Sequence, residues 1–249
     1  MSAKIEKKNK KSGKSLKIAI VVVALLLIAA LVYLVSTNVN EAADLPDDVI
    51  ADAQNQSAET QPVYLNKKLK IEKIGGYSGI YMEDGTDEVV SDILMMMVTN
   101  VSDEAIEYAE IQLALEDKTA YFAASVLPAG KSVVLLEKNR MGYDPDVNYS
   151  KAAAECVNMA MFKQELSLQE DKLEIQLLDG VINVTNISDE DITQTIILCY
   201  KNVSEDIYYG GIAYRIKLEG GLKAGEIRQI MASHFDQPGS EIVFVGFAA

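Results

Sequence analysis

The heptapeptide Val98-Thr99-Asn100-Val101-Ser102-Asp103-Glu104 recurs as Val184-Thr185-Asn186-Ile187-Ser188-Asp189-Glu190, with one replacement, Val101 by Ile187. An isoleucine follows two residues later in both copies, as Ile106 and Ile192. Three weaker echoes keep the same order. Lys68-Leu69-Lys70-Ile71 precedes the first copy and Lys172-Leu173-Glu174-Ile175 the second. Leu127-Pro128-Ala129-Gly130-Lys131 follows the first and Leu222-Lys223-Ala224-Gly225-Glu226 the second. Val157-Asn158-Met159-Ala160-Met161-Phe162 is matched by Ile242-Val243-Phe244-Val245-Gly246-Phe247. Ordered matches at offsets of roughly 86 to 104 residues mean a duplicated domain, not a short solenoid repeat.

Within each copy the hydrophobic period is two. Ala109, Ile111, Leu113 and Leu115 alternate with Glu110, Gln112 and Glu116, and Ile212, Tyr214, Ile216 and Leu218 alternate with Arg215 and Lys217. That is the pattern of a half-buried strand. Asp84-Gly85, Asp179-Gly180, Gly210-Gly211 and Gly220-Gly221 supply turns between the runs. The fold class expected is all-β, two tandem antiparallel immunoglobulin-like β-sandwiches, residues 63–166 and 171–249. Each should keep its own core, with small contacts across a boundary near Leu166–Asp171. One helix is expected, over Asp146 to Glu155, because Ser150-Lys151-Ala152-Ala153-Ala154-Glu155 favours it.

Ahead of the repeats, Ile18 to Val35 is a run of eighteen uncharged, almost wholly apolar residues. As a helix it would extend roughly 27 Å, enough for the hydrocarbon layer of a bilayer. Seven lysines precede it with Glu6 alone, while Glu41, Asp44, Asp47 and Asp48 follow. The positive-inside rule then places the basic tail, 1–17, in the cytoplasm and the rest outside. A cleaved signal peptide would carry a shorter apolar region and an A-x-A-like end, so 18–35 reads as an uncleaved signal-anchor. Residues 36–62 are polar and acidic without sustained periodicity, as in a flexible stalk. With the first seventeen residues set aside, 16 basic and 36 acidic residues remain, a net charge of −20. Such a surface is repelled by nucleic acid and by anionic lipid.

The order V-x-N-x-S-x-x-x-I, alternating strand, L-x-A-G resembles the bacterial immunoglobulin-like domains named after an F-x-L-Y-D signature. The stretches in the signature position are Leu113-Ala114-Leu115-Glu116-Asp117 and Leu198-Cys199-Tyr200-Lys201-Asn202. The first keeps the hydrophobic spacing and the aspartate; the second keeps less. The segment from Tyr200 to Arg215 is also similar to uncharacterised membrane-anchored proteins of Gram-positive bacteria. The resemblance spans roughly 66–249 and implies a structural domain. It carries no catalytic residue.

Chemistry-bearing residues are sparse. The single histidine, His234, has no G-x-S-x-G elbow to accompany it and reads as a structural residue before the last strand. One histidine and two distant cysteines, Cys156 and Cys199, do not make a zinc site. The cysteines fall in different repeats, and burial as small hydrophobes is favoured over a bridge. Asp103-Glu104 and Asp189-Glu190-Asp191 lack the D-x-D-x-D spacing of a calcium loop. Asn100 and Asn186 are expected to bond their own turn backbone. Tyr208, Tyr209 and Tyr214 form the one aromatic cluster; alternating tyrosines on a strand more often serve core and cross-strand packing, and as a binding patch these three are the candidate partner-binding residues. No cofactor and no enzymatic activity are expected. The sequence predicts an extracytoplasmic module held to the cytoplasmic membrane by 18–35, serving an unidentified envelope protein or the envelope's structure. A ligand-binding or sensor module is the alternative.

Overall fold

A computed structural model of the chain describes residues 63–178, 181–235 and 239–248. The tail, the apolar run, the stalk and the Asp179-Gly180 turn lie outside the described residues. Among the described residues no helix is long and apolar enough to cross a membrane.

The described residues are all-β. After the short β1 (Val63–Leu65), the first repeat contributes β2 (Leu69–Ile80), β3 (Val89–Asn100), β4 (Ile106–Ala114), β5 (Thr119–Leu127), β6 (Ser132–Leu136) and β7 (Ala153–Met161). The second contributes β8 (Leu173–Leu178), β9 (Val181–Asn186), β10 (Thr195–Ser204), β11 (Ile207–Leu218), β12 (Ile227–Met231) and β13 (Ser240–Ala248). The strand orders repeat. β2-β3-β6 lies against β5-β4-β7 in the first copy, and β8-β9-β12 against β11-β10-β13 in the second. Inward residues of the two layers interdigitate in each, as in a β-sandwich. Leu94, Met96 and Val98 meet Ile111, Leu113 and Phe122 in the first core, and Ile182 and Val184 meet Ile196, Leu198 and Val245 in the second.

The duplicated heptapeptide closes the same corner twice. Asn100 and Asn186 are both fully buried at 0% exposure. Asn100 Nδ2 donates to the carbonyls of Glu104 (2.9 Å) and Leu127 (3.1 Å), and its Oδ1 accepts from Ser102 N (3.1 Å) and Oγ (2.7 Å). Asn186 Nδ2 donates to Glu190 O (2.8 Å) and Leu222 O (3.1 Å), and its Oδ1 accepts from Ser188 N (3.0 Å) and Oγ (2.7 Å). Gly130 and Gly225, at φ 74° and 73°, return an N–H to the carbonyl of Asn100 and Asn186 respectively. The heptapeptide is therefore repeated because a buried carboxamide must satisfy several strand-end backbone groups at once. Matching positions share environments: Val98, Val184, Ile106 and Ile192 are buried, and Asp103 and Asp189 are exposed.

Two features depart from the expectations. The first is the Asp146–Glu155 segment. Only Tyr149–Lys151 forms a single 3-10 turn, and Ala153-Ala154-Glu155 opens β7, paired with Ala114, Leu113 and Gln112 of β4. The free edge of β4 offers a row of backbone partners and buries Cys156, which outweighs alanine's weak helix preference.

The second is how the copies meet. Ser132, Val133 and Val134 of β6 pair in parallel with Ile207, Tyr208 and Tyr209 of β11. One sheet of each repeat thus joins into a continuous seven-stranded sheet, β1-β2-β3-β6-β11-β10-β13. The other described ladders are antiparallel. β10 is buried on both faces: Leu198 and Tyr200 point into the second core, while Cys199 points into the first with Tyr208 and Val243. Its near-continuous apolar run Ile-Ile-Leu-Cys-Tyr is what a doubly covered strand requires. The contacts between repeats are therefore extensive.

Candidate functional site

The seam between the repeats holds a buried lysine, and the groove lies beside it. β5 meets β11 where neither strand carries bulk. A Cβ on Gly211 would lie 1.7 Å from the carbonyl oxygen of Ala123. Only glycine permits that approach. Beside it, Ser125 Oγ accepts from Ala213 N at 2.8 Å and reaches Gly211 O at 3.2 Å.

Lys201 enters the seam from β10 and is 1% exposed. Its Nζ donates to the carbonyls of Ser125 (3.1 Å), Ile212 (3.0 Å) and Gly211 (3.3 Å), and lies 5.8 Å from the centre of the Tyr208 ring. Burial pulls its pKa down to about 8, against the opposing pull of the Glu83 carboxylate. Glu83 comes from the β2–β3 connection of the first repeat, and its Oε1 accepts from Leu136 N (3.0 Å) and Gly211 N (2.8 Å). Burial raises its pKa, while those N–H groups and Lys201 oppose the rise. The pair ties both repeats together through backbone groups that the parallel ladder leaves open. Lys201 carried a signal in the sequence: a lysine directly after an unbroken apolar strand has no exposed face to occupy.

Above this seam lies an open groove of about 470 Å³, lined by Tyr81, Glu83, Asp84, Tyr108, Ala123, Lys138, Asn139, Arg140 and Ile212. Most of its polar groups are already engaged. Arg140 lies 4.5 Å over the Tyr81 ring and grips Asp84 (2.8 Å) and Glu88 (2.6 Å). Hydrogen bonds from Thr86 hold Asp84 below the usual carboxylate range. Tyr81 Oη reaches the carbonyls of Glu137 (3.1 Å) and Lys138 (3.0 Å). Tyr108 donates to Glu110 Oε1 at 2.6 Å. Lys138 Nζ is the loosest charge, 3.8 Å from Glu110. Such a groove can take a small polar molecule at the Lys138 rim.

The buried Glu137 is also a backbone organiser. It accepts from the N–H groups of Tyr121 (3.0 Å), Asn139 (2.8 Å) and Met141 (2.8 Å), shaping the loop that floors one end of the groove.

The tyrosines named from the sequence do not converge on this groove. Tyr208 is 1% exposed in the first core, with its hydroxyl 3.4 Å from Glu241 Oε2. Tyr209 packs half-buried against the small cluster that includes Tyr77, Tyr81 and Met95. Tyr214 stacks between Tyr200 (5.2 Å) and His234 (5.0 Å). His234, at φ 63° after β12, hydrogen-bonds Asp87 at 3.0 Å and so joins the repeats a second time. Cys156 and Cys199 are free and buried, and burial raises both thiol pKa values. Among the described residues no three His, Cys, Asp or Glu side chains are grouped to hold a metal ion. Comparison with family models, with curated proteins and with solved structures gave no match.

Proposed function

We propose that this chain is a non-enzymatic, membrane-anchored extracytoplasmic protein whose paired immunoglobulin-like domains act in protein–protein interaction or in the structure of the cell envelope. One observation carries the reading: eighteen uncharged residues stand between a seven-lysine tail and an acidic segment, ahead of the repeated β domains. The resemblance to F-x-L-Y-D-type domains supports the same reading, since those motifs are structural. The fused seven-stranded sheet adds to it, because a rigid body on a stalk suits a spacer or a docking module. Protease added to intact protoplasts should remove nearly all of the protein and spare a fragment containing the lysine tail. Protection of the full length would reverse the orientation.

The seam groove favours a second reading, an extracytoplasmic ligand-binding or sensor module. A small polar ligand taken at the Lys138 rim would raise the melting temperature of residues 63–249. Lys138→Ala should remove that shift.

A further inference from the structure

The edge of the second repeat is open where the same edge of the first is closed. β6 and β12 occupy equivalent places, each pairing with the strand that ends in the repeated asparagine. β6 is covered by the parallel strand β11. Among the described residues β12 is the last strand of its sheet, with β9 on one side and none on the other. The open edge is not blunted as solvent-facing edges commonly are. Ile227 is 66% exposed and Met231 86%, and Leu178 at 50% extends the apolar row on the outward face. Gln229 stands between Ile227 and Met231 on that face, and Arg228 is committed to Glu226 (2.9 Å) and the carbonyl of Glu219 (3.1 Å).

The backbone of β12 is set for pairing. Glu226 O accepts from Asn186 N at 3.0 Å, so by the alternation of an antiparallel ladder Arg228 and Ile230 turn their backbone groups to β9. Ile227, Gln229 and Met231 therefore present theirs to the open side.

We propose that β12 pairs antiparallel with β12 of a second copy of this chain, about a two-fold axis at Gln229. The strand is five residues long, and its two most exposed apolar side chains lie two places either side of Gln229. Antiparallel pairing about that centre sets each Ile227 against the other copy's Met231, an arrangement complementary to itself. Charge selects the same place. Two copies of a chain with net charge −14 repel over most of their surface, whereas the outward positions of β12 carry no charge. The fold also supplies a precedent, since the equivalent edge of the first repeat already takes a strand. The proposal depends on neither membrane anchoring nor export, so its failure would leave the proposed function standing.

The test is disulfide trapping in the full-length chain in detergent, whose native cysteines are buried. Residues facing each other in a hydrogen-bonded antiparallel pair have Cα atoms roughly 5.5 Å apart, within disulfide range. Gln229→Cys should give at least about tenfold more covalent dimer than the exposed turn variant Glu116→Cys, because disulfides tolerate separations only to roughly 7 Å. Ile227→Cys and Met231→Cys should each dimerise poorly alone and efficiently when mixed. Adding Met231→Lys to Gln229→Cys should abolish the dimer without changing the melting temperature. Two results would overturn the proposal: dimer no greater than for Glu116→Cys, or Ile227→Cys linking to itself as well as Gln229→Cys does.

Discussion

Lys201 Nζ of the second repeat donates to the carbonyl of Ser125 in the first, 3.1 Å away, inside the seam where β5 meets β11. This bond makes a buried charge part of the join between two copies of one domain. Removing the amine would leave the carbonyls of Ser125, Gly211 and Ile212 without their donor and take away the charge that opposes the rise in the Glu83 pKa. Lys201→Met should therefore cost roughly 1–3 kcal/mol for each orphaned group. Adding Glu83→Gln should recover part of that loss. Urea denaturation of the single and double variants measures the coupling; simple additivity would contradict it.

The same lysine shapes the pH dependence. Its folded pKa of about 8 lies below the unfolded value near 10.4, so between them the unfolded chain binds more protons. Stability should then rise from about pH 8 to about pH 10, by up to roughly 1.4 kcal/mol per unit. Tyr200 and Tyr214, pushed up to about 12 by burial, act above that window. They stay protonated when folded, and stability should fall as pH rises beyond their unfolded pKa near 10. Lys201→Met should flatten the rise and keep the fall, as read by urea midpoints from pH 7 to 11.

Two glycines separate steric from conformational need. Gly130 has φ 74°, and a methyl added there would meet nothing within 4 Å, so Gly130→Ala should cost only about 1–3 kcal/mol of backbone strain. Gly211→Ala would drive a methyl into Ala123 O and should prevent β5 and β11 from closing. Limited proteolysis should find Gly130→Ala resistant and Gly211→Ala cleaved within the repeats.

The paired asparagines should behave alike. Asn100→Ala and Asn186→Ala each leave buried carbonyls without their donor, at a cost of roughly 1–3 kcal/mol per orphaned group. Asn→Asp should be worse at both places, because an acceptor would face those carbonyls. Equal losses in urea denaturation are expected. A large loss at one site and none at the other would contradict the shared role.

The duplicated corner was legible because its chemistry is local: asparagine, serine and the turn carbonyls lie within a few residues, and the same sequence recurs. Period-two alternation revealed β4 and the distal half of β11 for a similar reason. The seam was not legible. Ser132–Val134 and Ile207–Tyr209 are ordinary strand residues, and nothing in either stretch marks it to pair with the other. Tyr208 belongs by sequence to the second repeat, yet the core of the first covers it. Ala152-Ala153-Ala154 reads as helix until β4 supplies a ladder. The groove draws Tyr81, Lys138, Arg140 and Ile212 from distant segments, so no motif could announce it.

The shared sheet and the Lys201 seam should make the duplicated domains unfold as one body. The most direct measurement of this is the thermal and urea unfolding of residues 63–249 with Ile106→Ala and Ile192→Ala, each a buried residue of a different core. Each substitution opens a cavity costing about 2–5 kcal/mol. The fused architecture predicts a single transition that both variants shift to lower temperature and lower urea. Two separable transitions, one moved only by Ile106→Ala and the other only by Ile192→Ala, would contradict it.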